Sequence, residues 1–301
     1  MRVRAASVNP YDWHLLTGLP YIGRLQMGLR PKVNRLGGDL AGVVEAVGAN
    51  VTWLRQGDEV FGMVDGAVPG HLMLDLGSFA EYVCVTEDSV APKPANLTFE
   101  QAAAVPLAGW TALHAIRETG KAQPGQRVLI NGASGGVGTF AVQIAVSFGA
   151  EVTGVCSTRN VDKIRSIGAS TVVDYTREDF TRGEPRYDLM LDNVGNRSLS
   201  DCRRVLKSEG LYLASFGRPE NRWLGPVAQL LAMRLSSPFV RQEMVELSPE
   251  RTNEVLRCLK GLIEAGEVTP VIDRTYPLIE TPEAIRYVGE GHERGKVVIS
   301  V

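Results

Sequence analysis

Between residues 124 and 155 the apolar positions change period twice. After the turn Pro124-Gly125-Gln126, Arg127-Val128-Leu129-Ile130-Asn131 is a short, nearly continuous apolar run and predicts a buried strand. Val137, Ala141, Ile144, Ala145 and Phe148 then recur at helical spacing on one face, and Gly149 supplies the stop. A second strand is predicted over 151–155. This is a βαβ unit of the length a mononucleotide fold needs.

The alternation continues. Ser157 and Thr158 stand where they can cap a helix running to Gly168. A strand follows over 171–173, then a strand over 187–191, a helix over 199–206 and a strand over 211–214. Strands alternating with helices predict an α/β fold with a parallel, doubly wound Rossmann sheet. The flanks read differently. Residues 36–95 are rich in glycine and β-branched residues, with "AGVVEAVG", "GDEVFGMV" and "FAEYVCV" as short strands of an antiparallel, barrel-like domain. The chain returns to strand at Lys296-Val297-Val298-Ile299-Ser300. In the stretch 219–247, Trp223, Leu230, Leu231, Met233, Leu235 and Phe239 form an apolar set that fits a core, a pocket wall or a dimer edge.

The seam between the first strand and its helix carries Ala133, Ser134, Gly135, Gly136, Val137 and Gly138. Aligned on G-x-G-x-x-G, the first glycine is replaced by Ala133, a residue small enough for the turn. Glycine there lets backbone approach a pyrophosphate, while the helix N-terminus offers free N–H groups and positive dipole. In an NAD site the second strand usually ends in an acid that binds the ribose 2′-hydroxyl. Here it ends in Ser157, Thr158 and Arg159, with Lys163 one turn on, groups suited to a 2′-phosphate and so to NADPH (NADP+).

Composition narrows the partners. The chain has 301 residues, 44% of them hydrophobic and 22% charged, with net charge −2 and no clustered basic stripe, which argues against nucleic acid. No apolar stretch spans a bilayer, and Asn9, Pro10, Tyr11 and Asp12 interrupt any signal-peptide core. Cys84, Cys156, Cys202 and Cys258 lie far apart, which predicts reduced thiols and a cytoplasmic protein. His14, His71, His114 and His292 are isolated from one another and from cysteine, so no metal site is expected. No tyrosine has lysine four residues on, which removes the Tyr-x-x-x-Lys reductase chemistry. A hydride transfer that needs no metal remains, with the developing oxyanion met by hydrogen-bond donors.

The strings "AASVNPYDW", "GGDLAGVVEAVG", "GDEVFG", "PLAGWTALHAI", "VLINGASGGVG", "IGASTVVDY" and "RGKVVI" together resemble the zinc-free medium-chain dehydrogenase/reductases of the quinone-oxidoreductase type, over nearly the whole chain. The resemblance implies a GroES-like catalytic domain over 1–107, a Rossmann domain over 108–242, and a return to the catalytic domain over 243–301, with the active site in the cleft. It implies Asn9, Tyr11 and Thr111 as catalytic residues beside the nicotinamide. It places Tyr175 near the 2′-phosphate, and Asn193, Val194, Ser215 and Lys296 in the cofactor set. Where zinc-dependent relatives carry a His-Glu pair, this sequence has Gly38-Asp39, and Asp39 is expected to fix the turn before Gly42. The family's opening strands are missing ahead of Met1, so "RVRAASV" is expected to be an unpaired edge. The reading is an NADPH-dependent reductase of a hydrophobic quinone or α,β-unsaturated carbonyl, acting as a homodimer. Alternatives are a 2-enoyl thioester reductase and a non-catalytic NADP(H)-binding sensor or partner protein.

Overall fold

The computed structural model describes residues 1–19, 21, 35–64, 76–184, 186–215, 233, 241–247, 253–291 and 293–301. Its strands in chain order are β1 (Arg2–Val8), β2 (Asp39–Val43), β3 (Glu59–Met63), β4 (Val90–Pro92), β5 (Arg127–Asn131), β6 (Glu151–Cys156), β7 (Thr171–Asp174), β8 (Tyr187–Asp192), β9 (Leu206–Ala214), β10 (Glu243–Glu246), β11 (Ile272–Pro277) and β12 (Lys296–Ser300). The helices are α1 (Pro10–Thr17), α2 (Phe99–Ala103), α3 (Pro106–Leu113), α4 (Gly136–Ser147), α5 (Val161–Ser166), α6 (Leu199–Val205), α7 (Asn253–Glu264) and α8 (Thr281–Glu290). The chain forms two compact units, Met1–Trp110 with Glu250–Val301, and Thr111–Pro249.

The first unit holds a six-stranded sheet in the order β11-β12-β1-β2-β3-β4. β1 pairs antiparallel with β12 on one side and with β2 on the other. The unpaired edge expected for "RVRAASV" is therefore corrected: its second neighbour comes from the far end of the chain, beyond the reach of local pattern. The segment "FAEYVCV" is a second correction. It alternates like a strand but among the described residues makes one bridge, Tyr82 to Arg2, with backbone bonds from Val3 N to Glu81 O (2.9 Å) and Val83 N to Met1 O (3.1 Å). Only the first residues of β1 reach it, too few for a ladder.

Beneath β1 and β12, Ala6, Val8, Val297 and Ile299 pack on Ala284, Ile285 and Val288 of α8, with Trp13 of α1 against them. A Cβ on Gly289 would meet Trp13 Cδ2 at 2.6 Å, so α8 can seat that indole only with glycine there. Each of the buried valines and isoleucines contributes about 1.5–3 kcal/mol. This packing fixes α1, which carries candidate chemistry.

The second unit holds six parallel strands in the order β10-β9-β8-β5-β6-β7. β10 aligns Glu243 with Leu211 of β9, so residues 243–246 extend the Rossmann sheet, although the sequence placed them in the returning segment. The helix expected over 157–168 is a 3-10 turn, Thr158–Asn160, followed by α5. Leu129, Met190 and Tyr212 form a buried core with Met233, the described member of the apolar set in 219–247. Trp223, Leu230, Leu231, Leu235 and Phe239, like His71 and His292, lie outside the described residues.

Candidate functional site

The carboxyl ends of β6, β5 and β8 lie side by side, Asn131 opposite both Val155 and Asp192. From β5 the chain turns at Gly132, whose φ of +78° suits glycine. That explains why Ala133 replaces a glycine without strain: the left-handed position is one residue earlier. Ala133 is buried, and its N–H donates to Val155 O at 3.0 Å. Gly135 is the N-cap of α4, and its missing side chain faces nothing nearer than Gly132 O at 3.6 Å. At Gly138 a Cβ would meet Ala133 Cα at 2.7 Å, so glycine alone lets helix and turn pack this closely. Ser134, Gly136 and Val137 are half-buried along this turn. The first amides of a helix have no partner within it, so the turn presents donors to an anion.

Asp192 organises the neighbouring loop. Fully buried, its Oδ1 accepts from Asn131 Nδ2 (2.8 Å), Val194 N (3.0 Å) and Gly195 N (2.9 Å), and its Oδ2 accepts from Tyr212 Oη (2.7 Å). Asn193 donates through Nδ2 to Asn131 O at 3.2 Å, while its buried Oδ1 has no partner among the described residues. An orphaned acceptor beside a glycine turn fits a ribose hydroxyl. Ser215 N is tied to Asp192 O at 2.9 Å. These residues fit a dinucleotide. Sequence reasoning named the loop but not the Asp192 carboxylate or Tyr212 that shape it.

Beyond β6, Ser157 makes no side-chain cap; its Oγ accepts from Asn160 Nδ2 at 3.3 Å. Thr158 is engaged within the chain. Its hydroxyl donates to Asp174 Oδ2 at 2.5 Å and meets Thr176 Oγ1 at 2.9 Å, because the end of β7 brings a carboxylate alongside. That bond from Thr158, more than any other cause, holds Asp174 below the usual carboxylate range, with Thr176 and Arg177 assisting. Arg159 is exposed, Lys163 half-buried, and Tyr175 47% exposed, its N–H donating to Cys156 O at 3.1 Å.

The first unit contains a buried polar cluster. Asn9 is the N-cap of α1, and the carboxylate of Asp12 accepts from Asn9 N at 2.9 Å and from Gly37 N at 3.0 Å. Burial, above all, pushes Asp12 up to about 7. Asp39 is a β2 residue, not merely a turn former. Its Oδ2 accepts from Ser7 Oγ (2.8 Å), Asn9 Nδ2 (2.9 Å) and Lys296 Nζ (3.3 Å), and its Oδ1 from Leu107 N (3.1 Å). Lys296 Nζ also donates to Asn9 Oδ1 and Val8 O. Lys296 Nζ thus has three protein acceptors inside this unit. Tyr11 stands over Gly38: a Cβ there would lie inside the Tyr11 hydroxyl, with Cζ at 2.9 Å. Asn9, Tyr11, Asp39 and Lys296 thus come together in one unit. Thr111, half-buried on α3, and the other cofactor candidates belong to the other.

Comparison with known proteins gives two family matches, "alcohol dehydrogenase GroES-like domain" over residues 1–95 and "zinc-binding dehydrogenase" over residues 167–299. Among the described residues no group of three or more His, Cys, Asp or Glu could hold a metal. The chain is 33% identical to the mitochondrial NAD(P)H oxidoreductase RTN4IP1 of Mus musculus, over 100% of this chain and 81% of the relative. It is 31% identical to the chloroplastic NADPH-dependent alkenal/one oxidoreductase of Arabidopsis thaliana, over 99% of this chain and 71% of the relative. The solved quinone oxidoreductase from Coxiella burnetii matches with TM-score 0.82 and 30% identity, over 100% of this chain and 89% of that one. The cytoplasmic location expected from the cysteines is corrected by the mitochondrial RTN4IP1 relatives of mouse, Bos taurus and Homo sapiens. Scattered reduced thiols distinguish reducing from oxidising compartments, not one reducing compartment from another. Among the described residues, no helix is long and apolar enough to cross a membrane.

Proposed function

The chain belongs to the zinc-independent, quinone-oxidoreductase-like medium-chain dehydrogenase/reductases, and from that premise we propose that it reduces a quinone or an α,β-unsaturated carbonyl with NADPH. It is an NAD(P)H-dependent oxidoreductase. The single observation that carries the substrate reading is Tyr11, a hydroxyl donor, standing over Gly38. It is supported by the alkenal/one and quinone oxidoreductases among its relatives.

When bound, the reduced nicotinamide supplies the hydride to an electron-poor carbon of the acceptor. The chain's part is to hold the cofactor and meet the charge that develops on oxygen. Ala133 to Gly138 hold the pyrophosphate at the head of α4, and Asn193 and Val194 line the ribose. Tyr11 donates to the acceptor oxygen as it becomes negative, and solvent restores the proton. Asn9, bonded to both Asp39 and Lys296, acts on the acceptor side by holding the first turn of α1. Thr111 meets the nicotinamide side.

The preference for NADPH is supported by Ser157, Arg159 and Lys163 after β6, and by the Asp174 carboxylate being engaged by Thr158, Thr176 and Arg177. The reading includes a homodimer, because β10 ends its sheet with no further strand beside it among the described residues; light scattering of the purified protein tests that. Following NADPH absorbance with quinones, enones and enoyl-CoA tests the function. NADPH binding without turnover on any acceptor points instead to a sensor protein.

A further inference from the structure

The Asp12 carboxylate ties the first turn of α1 to the residue two before β2, beside the bond that Asn9 Nδ2 already makes to Asp39 Oδ2. One oxygen takes the amide of Asn9, the N-cap of α1, and the other takes the amide of Gly37 just before β2. Tyr11 is the residue before Asp12, and Gly38, over which its hydroxyl stands, is the residue after Gly37. The two ends of the clasp are thus the chain neighbours of the two residues whose approach defines the proposed donor. We propose that Asp12 is a positioning residue: its carboxylate locks the first turn of α1 to the approach of β2 and so sets the Tyr11 hydroxyl in place. The proposal rests on the reading of Tyr11 given above.

The clasp is complete only in the ionised form, since each oxygen must accept one amide. Burial opposes that form and moves its titration to about 7, Asp39 opposing it further and Lys296 favouring it. Asp39 faces Asp12 from β2 and Lys296 from β12. From α8 the contact is apolar, Trp13 on Gly289. The titratable groups of α8 are engaged elsewhere or exposed: Glu283 with Arg286 at 3.6 Å, Tyr287 with Asp273 at 2.7 Å, and Glu290 at the surface. On α1 itself the other titratable side chains are Tyr11 and His14. The clasp therefore tightens as pH rises through neutrality.

Two measurements on the full chain test this. With 3-fluorotyrosine at position 11, the fluorine NMR shift of wild type is expected to show a step with a midpoint near 7, separate from the probe phenol's own ionisation at higher pH, and Asp12→Asn is expected to lack that step. No step near 7 in wild type, or one that persists there in Asp12→Asn, overturns the proposal. In turnover, Asp12→Asn is expected to lower kcat roughly tenfold while KM for NADPH stays within about twofold, and to add nothing in a Tyr11→Phe background. A drop in kcat that is undiminished in Tyr11→Phe contradicts the clasp alone. If Tyr11→Phe by itself leaves kcat unchanged, the underlying assignment of Tyr11 fails and the proposal with it.

Discussion

Lys296 Nζ lies 3.3 Å from Asp39 Oδ2, and the two side chains are 4% and 0% exposed. They join β12 to β2 across β1, 257 residues apart in sequence. Removing one partner of a buried pair strands the other charge, typically costing about 3–5 kcal/mol, whereas removing both costs less than the sum. Lys296→Met and Asp39→Asn are each expected to lower stability steeply, and the double variant to recover part of the loss in urea unfolding. Additive losses would show that the pair does not act as a unit. If Lys296 instead served the cofactor, Lys296→Met would weaken NADPH binding with stability unchanged.

Gly38 is expected to tolerate no side chain while Tyr11 keeps its place. Gly38→Ala should displace the Tyr11 ring and lower kcat, and Tyr11→Phe should lower kcat without changing NADPH affinity. Unchanged turnover in both variants would make Tyr11 a packing residue. For the same steric reason, a His-Glu pair cannot be restored by Gly38→His and Asp39→Glu alone. Metal analysis of untagged protein should find no stoichiometric zinc, and one chelator-resistant zinc per chain would refute the metal-free reading.

Asp12 makes stability depend on pH with a definite sign. Its ordinary pKa is 3.8, and burial raises it to about 7 in the folded chain. Between those values the folded protein keeps a proton that the unfolded chain has lost. This contribution is full below pH 3.8 and is lost as pH rises through about 7. The slope is at most about 1.4 kcal/mol per pH unit for one group. Unfolding free energies of wild type and Asp12→Asn from pH 5 to 8 should show the wild type's relative stability falling by roughly 2 kcal/mol and then levelling. A difference independent of pH would contradict the buried, late-titrating carboxylate.

The proposed preference for NADPH rests on the strand-end after β6. Ser157→Ala with Arg159→Ala is expected to reduce the kcat/KM ratio of NADPH over NADH by about one to two decades, the value of a charged contact of roughly 1.5–3 kcal/mol. Thr158→Ala acts differently: it removes the bond that most lowers Asp174, so it should also weaken NADPH by leaving a less compensated carboxylate. Equal use of both cofactors by wild type would defeat the preference.

The elements around the cradle were legible in sequence because a buried parallel strand is a continuous apolar run and α4 keeps a strict helical face. The single sheet shared by residues 2–8 and 296–300 was not, because pairing over such a separation leaves no periodic trace. The Asp39 cluster was hidden for the same reason, its partners Ser7, Asn9, Leu107 and Lys296 being scattered along the chain. Asp12 did leave a signal. Asn9 and Asp12 have the i, i+3 spacing of a capping box, which identifies an N-terminus and with it the pinned first turn of α1. In the second unit, Asp174 of "VVDY" meets Thr158 across the ends of β6 and β7, a contact that no local pattern signals.

The most direct test of the account is NADPH oxidation by metal-free protein, followed at saturating cofactor with a quinone and with an α,β-unsaturated ketone. The account predicts turnover of at least one acceptor, unaffected by chelator and reduced in Tyr11→Phe. Tight NADPH binding with no oxidation above the uncatalysed rate on either class would contradict it.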